Sequence, residues 1–255
     1  MKLVTVGDVM VDVVSEHLPA AGERVHGSVR LRAGGSAVNA ALAAADLGAE
    51  AQVVGRIGAD GAGELVRSAL EARGIDAHLA RDAQLPTGTA VALQDAVVAE
   101  RGANARLSPQ DLPEPLRGDA LLVSGFALFQ DGSRDAAGAA LDRFEGPWAA
   151  VDLASPRLAA LDFDANVVFA TVEEANAVPS LEQRFEIVCV KREDGASASR
   201  SGEVVDVASP LVTRTSPFGA GDAFAAAFLV ALANGAELGV ALEGACAAGA
   251  AAAGS

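Results

Sequence analysis

The sequence predicts an α/β fold, in which a mostly parallel central sheet lies between layers of helices and carries a small β-sheet flap. Short apolar runs alternate with helical patterns along the chain, which is typical of a parallel sheet covered by helices. Two segments, within 13–33 and 87–106, interrupt this alternation with extended, partly polar stretches. The 255 residues contain no internal repeat and no long linker, so we expect a single domain over residues 1–255.

The predicted elements follow one another as strand and helix. Ser36 and Asp60 are candidate N-caps of the first two helices, and Gly48 and Gly74 stand where these same helices end. The predicted strands are 4–7, 51–55, 119–124, 149–153, 166–170 and 186–191. The predicted helices are 36–47, 64–73, 134–144, 223–233 and 238–253. Extended runs at 29–32 and 91–93 predict an antiparallel flap over the carboxyl ends of the strands, where open α/β sheets bind ligands.

Composition and charge exclude several classes of function. The chain has 19 Lys+Arg against 34 Asp+Glu and a net charge of −15, which argues against a nucleic-acid surface because such a surface should be basic. The longest apolar tract, 245–254, is shorter than a membrane span, and the N-terminus has no signal-peptide pattern. We therefore expect a cytoplasmic protein without membrane or nucleic-acid partners. Its two cysteines, Cys189 and Cys246, are expected in the core.

The first of two glycine motifs leads into the first long helix. Gly34 and Gly35 precede Ser36, and Asn39 follows one turn later. A Gly-Gly pair lets the backbone approach a ligand closely, and a helix N-terminus offers free N–H groups to hydroxyls or anions. Asn39 is then placed to hydrogen-bond a polar ligand. Taken alone, the motif favours a turn followed by a helix cap.

The second motif, Gly219-Ala220-Gly221-Asp222, precedes the Ala-rich helix at 223–233. Its small residues let successive N–H groups converge into an anion-binding nest. Asp222 alone favours a helix-capping carboxylate. Its functional interpretation is a general base for a hydroxyl nucleophile, with the N–H groups stabilising a transferred phosphoryl. The motif is neither a Walker A loop nor a Gly-x-Gly-x-x-Gly fingerprint.

Together the two motifs resemble the signatures of the ribokinase-like, or PfkB, carbohydrate kinase family. Residues 34–41, with Gly48 and Gly58, are similar to its N-terminal signature, and residues 216–222, continuing through 226–229, are similar to its C-terminal signature. Shorter family motifs are matched at 7–12, 55–63, 87–89 and 102–104. The resemblance therefore extends over nearly the whole chain.

The resemblance implies a ribokinase-like three-layer α/β/α sandwich with a small β-sheet lid, the lid segments lying within 13–33 and 87–106. It implies transfer of the γ-phosphoryl of ATP to a hydroxyl of a sugar or sugar-like substrate, with Mg²⁺. Asp222 would be the base, and the backbone of Gly219, Ala220 and Gly221 would form the anion hole. The residues implied for the acceptor are Asp12, Gly34, Gly35 and Asn39.

The nucleotide site implied by the resemblance departs from the family pattern. Its residues would be Thr171, Glu174, Lys191 and Gly195, with Glu174 also serving Mg²⁺. Thr171 replaces a common Asn, and one Gly is missing from the turn before Gly195. Ser216-Pro217-Phe218 replaces Asp-Thr-Thr, so the usual acidic group of a monovalent-cation site is absent and that cation is left open.

Three functions remain open from the sequence. The leading one is an ATP-dependent sugar kinase, because Asp222 and its glycines are intact. A non-catalytic or weakly active sugar- or nucleotide-binding relative is the alternative, because Thr171 and Ser216 depart from the family pattern and the stretches 94–100 and 177–184 are abbreviated. A nucleoside kinase is disfavoured by nine Phe, one Trp and no Tyr, which leave few rings to stack a base. The lid edges of relatives often pair, so a homodimer through the lid is also an expectation.

Overall fold

The computed structural model describes residues 1–15, 22–93, 96–155, 162–213 and 218–254. Its strands are β1 (Lys2–Val6), β2 (Met10–Ser15), β3 (Val29–Gly34), β4 (Glu50–Gly58), β5 (Asp76–Asp82), β6 (Gly88–Leu93), β7 (Ala96–Glu100), β8 (Leu116–Arg117), β9 (Ala120–Ser124), β10 (Phe144–Glu145), β11 (Trp148–Asp152), β12 (Val167–Thr171), β13 (Ile187–Arg192), β14 (Gly195–Arg200) and β15 (Glu203–Ala208). Its helices are α1 (Ser36–Asp46), α2 (Gly61–Ala72), α3 (Gly125–Phe129), α4 (Asp131–Arg143), α5 (Val172–Ala177), α6 (Leu181–Arg184), α7 (Ala220–Ala233) and α8 (Leu238–Ala253).

Nine of these strands form the central sheet, in the order β15-β14-β13-β12-β11-β9-β1-β4-β5. Every pair from β13 to β5 is parallel, and β14 and β15 add an antiparallel edge. Helices α1, α7 and α8 pack on one face, and α4 packs on the other. The predicted three-layer α/β/α sandwich with a mostly parallel sheet is confirmed.

Side chains of the central strands are buried on both faces of the sheet. In β1, Leu3 packs in the core shared with α1 and α7, whereas Val4 and Val6 pack in the core shared with α4. A parallel strand covered on both sides carries a nearly continuous apolar run, because neither face meets water. This explains why the strands stand out in the sequence as short apolar stretches.

The flap is a separate four-stranded sheet with the order β3-β2-β6-β7. The β2–β3 and β6–β7 pairs are antiparallel, as predicted, whereas β2 and β6 between them pair in parallel, which the sequence did not predict. Both β2 and β6 leave the carboxyl ends of parallel strands, β1 and β5, and therefore run in the same direction.

The sequence missed three strands of the central sheet. β5 lies at one edge, and β14 and β15 form the antiparallel hairpin at the other. Alternating small and polar residues in β14 give no apolar run to recognise. The abbreviated stretch at 177–184 contains only the end of α5 and the four-residue α6.

Two of the shorter family-like motifs hold the flap to the central sheet. Asn104 accepts a hydrogen bond from the Val9 N–H at 2.8 Å and donates to the Val9 carbonyl at 2.9 Å. Thr87 donates to Asp60 through its hydroxyl at 2.7 Å and through its backbone N–H at 2.8 Å. These residues fix the two connections from which the flap emerges.

None of the helices in the described part of the chain has the length and apolar character that a membrane crossing requires.

A prediction follows from the packing of α7 on the sheet. Phe169 on β12 is fully buried and meets Phe224 and Phe228 edge-on, with ring centroids 6.1 and 5.5 Å apart. Phe169→Ala should lower the free energy of unfolding by about 3–5 kcal/mol, because it leaves a cavity beneath α7. Urea unfolding followed by circular dichroism measures this. Val240→Ala, at a position 58% exposed on α8, is the matched control and should change it by less than about 0.5 kcal/mol; equal effects would contradict this packing.

Candidate active site

A cavity of about 590 Å³ lies at the carboxyl ends of β1, β9 and β11, beside the flap. The strand order changes direction next to β1, since the chain runs from β1 to β4 and β5 and then returns to β9. Open α/β sheets bind ligands at such a switch point. The polar side chains lining the cavity include Asp12, Asn39, Arg101, Asp152, Glu174 and Asp222.

Asp12 enters the cavity from β2, and Gly34 makes room for it. Asp12 is 2% exposed, and Gly34 lies on the neighbouring strand β3. A Cβ at Gly34 would overlap the Asp12 carboxyl group, so only glycine allows this placement. Burial raises the pKa of Asp12 to about 6, although the charge of Arg32 acts in the opposite direction.

Gly35, rather than the predicted Ser36, is the N-cap of α1. Gly35 has φ +88°, and a Cβ there would overlap the Asp8 carbonyl. Ser36 is the first residue of the helix, and within the described residues its hydroxyl oxygen is the buried side-chain atom that lacks a hydrogen-bond partner. The Gly-Gly pair therefore brings the N-terminus of α1 against the β1–β2 connection, at the wall of the cavity.

The N-terminus of α7 lies across the cavity from α1, and one side-chain hydrogen bond joins the two helices. Gly219 is the N-cap of α7 with φ +84°, a conformation that favours glycine, and it lies beside Asn39. Asn39 Nδ2 donates to Asp222 Oδ2 at 3.0 Å. Asn39 and Asp222 are 183 residues apart in the sequence, so this bond brings the two glycine motifs into one site.

Asp222 is a carboxyl group whose surroundings oppose ionisation. Burial raises its pKa to about 7, and the charges of Asp152 and Asp12 add to the rise. The Asn39 hydrogen bond and the charge of Lys191 act in the opposite direction. The result is a carboxyl group that changes protonation near neutral pH, as a general base requires.

Lys191 lies beside the start of α7, paired with a residue that the site predictions did not include. Its Nζ is 2.5 Å from Asp152 Oδ1, and a Cβ at Gly221 would be 3.4 Å from the same Nζ. Burial raises the pKa of Asp152, whereas the charge of Lys191 lowers it and that of Glu174 raises it. Lys191 therefore brings positive charge to the end of the cavity where the helix N–H groups converge.

Thr171 and Glu174 form a capping box at the N-terminus of α5. The Thr171 N–H donates to Glu174 Oε2 at 2.8 Å, and the Glu174 N–H donates to the Thr171 hydroxyl at 3.3 Å. Glu174 is 7% exposed and lines the cavity. The replacement of Asn by Thr at 171 thus supplies the cap that holds Glu174 in place.

Gly195 is explained by packing between strands. A Cβ there would overlap the Val207 carbonyl of β15 across the hairpin, and Gly195 does not line the cavity. Ser216 and Pro217, which depart from the family pattern, lie outside the described residues.

The described residues contain no cluster of three or more His, Cys, Asp or Glu side chains that could hold a metal ion. In phosphate-transferring sites, Mg²⁺ binds one or two carboxylates together with waters and substrate phosphates. Glu174 is one of the carboxylates in the cavity wall.

An ion pair that sequence reasoning missed stands at the flap side of the cavity. Arg101 Nη2 is 2.6 Å from Asp8 Oδ1, and Arg101 Nε is 3.1 Å from Asp8 Oδ2. Arg101 Nη2 also donates to the Ser133 hydroxyl at 2.9 Å. Asp8 and Arg101 are 93 residues apart, so no local pattern signals the pair.

Comparison with known proteins agrees with this geometry. The family profile described as pfkB family carbohydrate kinase matches residues 1–255. A fructokinase from Klebsiella pneumoniae is 27% identical over 267 residues, covering 91% of this chain and 84% of the relative.

Two solved structures show the same fold. Aminoimidazole riboside kinase from Salmonella enterica, complexed with aminoimidazole riboside and an ATP analogue, superposes with a TM-score of 0.82 at 23% identity, covering 100% of this chain and 94% of that one. A fructokinase from Vibrio cholerae O395, bound to fructose, ADP and a calcium ion, gives 0.81 at 22% identity, with 100% and 93% covered. The chain belongs to the pfkB family of carbohydrate kinases, and it is a phosphotransferase that acts on an alcohol group.

Proposed function

We propose that this protein transfers the γ-phosphoryl group of ATP to a hydroxyl of a sugar or sugar-like acceptor, with Asp222 as the general base. The observation that carries the proposal is the Asp222 carboxyl group, which lies in the cavity at the start of α7 and is hydrogen-bonded by Asn39 at 3.0 Å. Its pKa, raised to about 7, lets it take up the acceptor proton and release it again near neutral pH.

The anion hole is the backbone of Gly219, Ala220 and Gly221. These residues begin a helix of 14 residues, so their N–H groups have no partner within the helix and the dipole favours negative charge beside them. The ammonium group of Lys191, which is paired with Asp152, lies next to Gly221. Together these groups oppose the charge that develops on the transferred phosphoryl group.

The acceptor is positioned by groups around Asp222. Asp12 and Asn39 line the same cavity and offer a carboxylate and an amide to hydroxyl groups. The backbone of Gly34 passes next to the Asp12 carboxyl group, and the backbone of Gly35 lies at the start of α1. Holding the acceptor in line with the phosphoryl group supplies much of the catalysis of phosphoryl transfer.

The residues assigned to the nucleotide are Thr171, Glu174 and Lys191, of which Glu174 lines the cavity, and Gly195, which stands in the hairpin that follows Lys191. Glu174 would hold Mg²⁺, which when bound neutralises the phosphate charge. The Thr171 hydroxyl accepts from the Glu174 N–H and keeps its own hydrogen to donate to a phosphate oxygen. A monovalent cation is not part of the proposal.

Two further expectations stay with this proposal. The first is action in the cytoplasm. The second is a homodimer formed through the lid, whose edge strands β3 and β7 expose the apolar residues Val29, Leu31 and Val98. These strands are the two opposite edges of the flap, and an unpaired edge strand can pair with a strand of a second chain.

Asp222→Asn tests the base directly. Loss of the base should lower kcat by about 10²–10⁴-fold in a coupled assay of ADP release. The variant should fold, since the Asn oxygen still accepts the Asn39 hydrogen bond. The pKa of about 7 lies above the ordinary 3.8, so ionisation of Asp222 destabilises the folded protein as pH rises from 4 to 7. The variant should therefore melt at least as high as the parent at pH 8. Retained kcat would contradict the assignment of Asp222.

The pH dependence of kcat/KM gives a second test. Protonated Asp222 accepts no proton from the acceptor, so the rate should rise tenfold per pH unit below about 7 and level off above it. Initial rates at saturating Mg²⁺ between pH 5.5 and 9 measure this. A plateau extending down to pH 5.5 would show that Asp222 titrates as an ordinary carboxyl group, or that it is not the base.

Gly34→Ala tests the placement of Asp12. The new Cβ would displace the Asp12 carboxyl group, so KM for the acceptor should rise by about ten- to a hundredfold, with KM for ATP nearly unchanged. Gly244→Ala is the matched control, because a Cβ there meets no atom within 4 Å. An unchanged acceptor KM in Gly34→Ala would remove Asp12 from the acceptor site.

A further inference from the structure

The cavity wall is strongly acidic. Five carboxylates line it, those of Asp8, Asp12, Asp152, Glu174 and Asp222. Among the residues that the structure describes, Arg101 is the only cationic side chain in the wall. Lys191 approaches from behind the wall and is paired with Asp152. Within the described part of the wall, Arg101 is therefore the side chain that could pair with a negatively charged group on the acceptor.

Arg101 is already held by the protein itself. Its guanidinium donates to both carboxylate oxygens of Asp8, at 2.6 and 3.1 Å, and to the Ser133 hydroxyl at 2.9 Å. Three of its five N–H donors are thus used. The side chains of Arg101 and Asp8 are 17% and 11% exposed, so water screens this pair little. Two-point pairing of arginine with a carboxylate is among the stronger charged contacts in proteins.

We infer that the acceptor is an uncharged polyol, such as a free sugar or a riboside, and that the Asp8–Arg101 pair sets this specificity by keeping the cation of the acceptor site occupied. The inference rests on the function proposed above and narrows its substrate class. It excludes sugar acids and sugar phosphates as good acceptors.

The reason is electrostatic. A carboxylate or phosphate on the acceptor would enter a cavity where Asp12 and Asp222 are negative and where burial already disfavours their own charges. An anionic group that took the place of Asp8 on Arg101 would leave the Asp8 carboxylate, which is 11% exposed, without its counter-charge. An uncharged hydroxyl meets neither cost, and carboxylates and amides are suitable partners for it.

The test compares matched acceptors that differ in charge at pH 8. The panel pairs fructose, ribose and adenosine with gluconate, 2-keto-3-deoxygluconate and fructose 6-phosphate. Binding is measured by calorimetry, and kcat/KM by ADP release. The parent protein should favour the best uncharged acceptor over the best anionic one by about a hundredfold or more in both measurements.

Asp8→Asn should release Arg101 and lower that preference by about tenfold, chiefly through tighter binding of the anionic acceptor. Asp111→Asn is the matched control, since it weakens an Arg–Asp pair of similar burial, with Arg56 Nη1 at 2.9 Å from Asp111 Oδ2, that does not line the cavity. Its preference should equal that of the parent.

The outcomes separate this inference from the proposed function. Preferred binding of an uncharged acceptor without turnover supports the inference while it contradicts the proposed kinase activity. Preference for an anionic acceptor, or failure of every uncharged acceptor to bind, overturns the inference. Equal preferences in Asp8→Asn and the parent overturn the role of the ion pair.

Discussion

The hydrogen bond from Asn39 to Asp222 is the contact on which the site depends. It joins the first turn of α1 to the first turn of α7, and these two turns carry the two glycine motifs. Gly219, at φ +84°, lets the chain turn into α7 beside Asn39, and both helices bury small residues, such as Ala40 and Ala226, in the same core. Two helix N-termini thus face one cavity, where positive ends of helix dipoles are available to an anion.

The price of this arrangement is a set of carboxyl groups held where ionisation is unfavourable. Burial raises the pKa values of Asp12, Asp152 and Asp222 together, and their charges oppose one another. Lys191 offsets part of this through its pair with Asp152. Sites built for proton transfer commonly carry such shifted groups, because a base must be able to exchange its proton near the working pH. The net charge of −15 gives the protein no overall attraction to phosphates. The phosphates must therefore be held by local groups.

The sequence predicts those parts of the fold that leave a local pattern. Continuous apolar runs mark β1 and β9 because both of their faces are covered, and the glycine motifs mark the starts of α1 and α7. The β14–β15 hairpin escaped notice because β14 alternates small and polar residues. The parallel pairing of β2 with β6, and the partners Asp8–Arg101 and Lys191–Asp152, are set by which strands become neighbours, and no local spacing carries that information.

The central claim is that Asp222 is a carboxyl group with a pKa near neutrality, kept in reach of both helix N-termini by Asn39. Carbon-13 NMR of aspartate labelled at the carboxyl carbon, assigned by comparison with Asp222→Asn, measures that pKa in the resting protein. The account predicts a titration midpoint at about pH 7, which moves higher in Asn39→Ala because the hydrogen bond that favours the ionised form is lost. A midpoint near the ordinary 3.8, unaffected by the loss of Asn39, would contradict it.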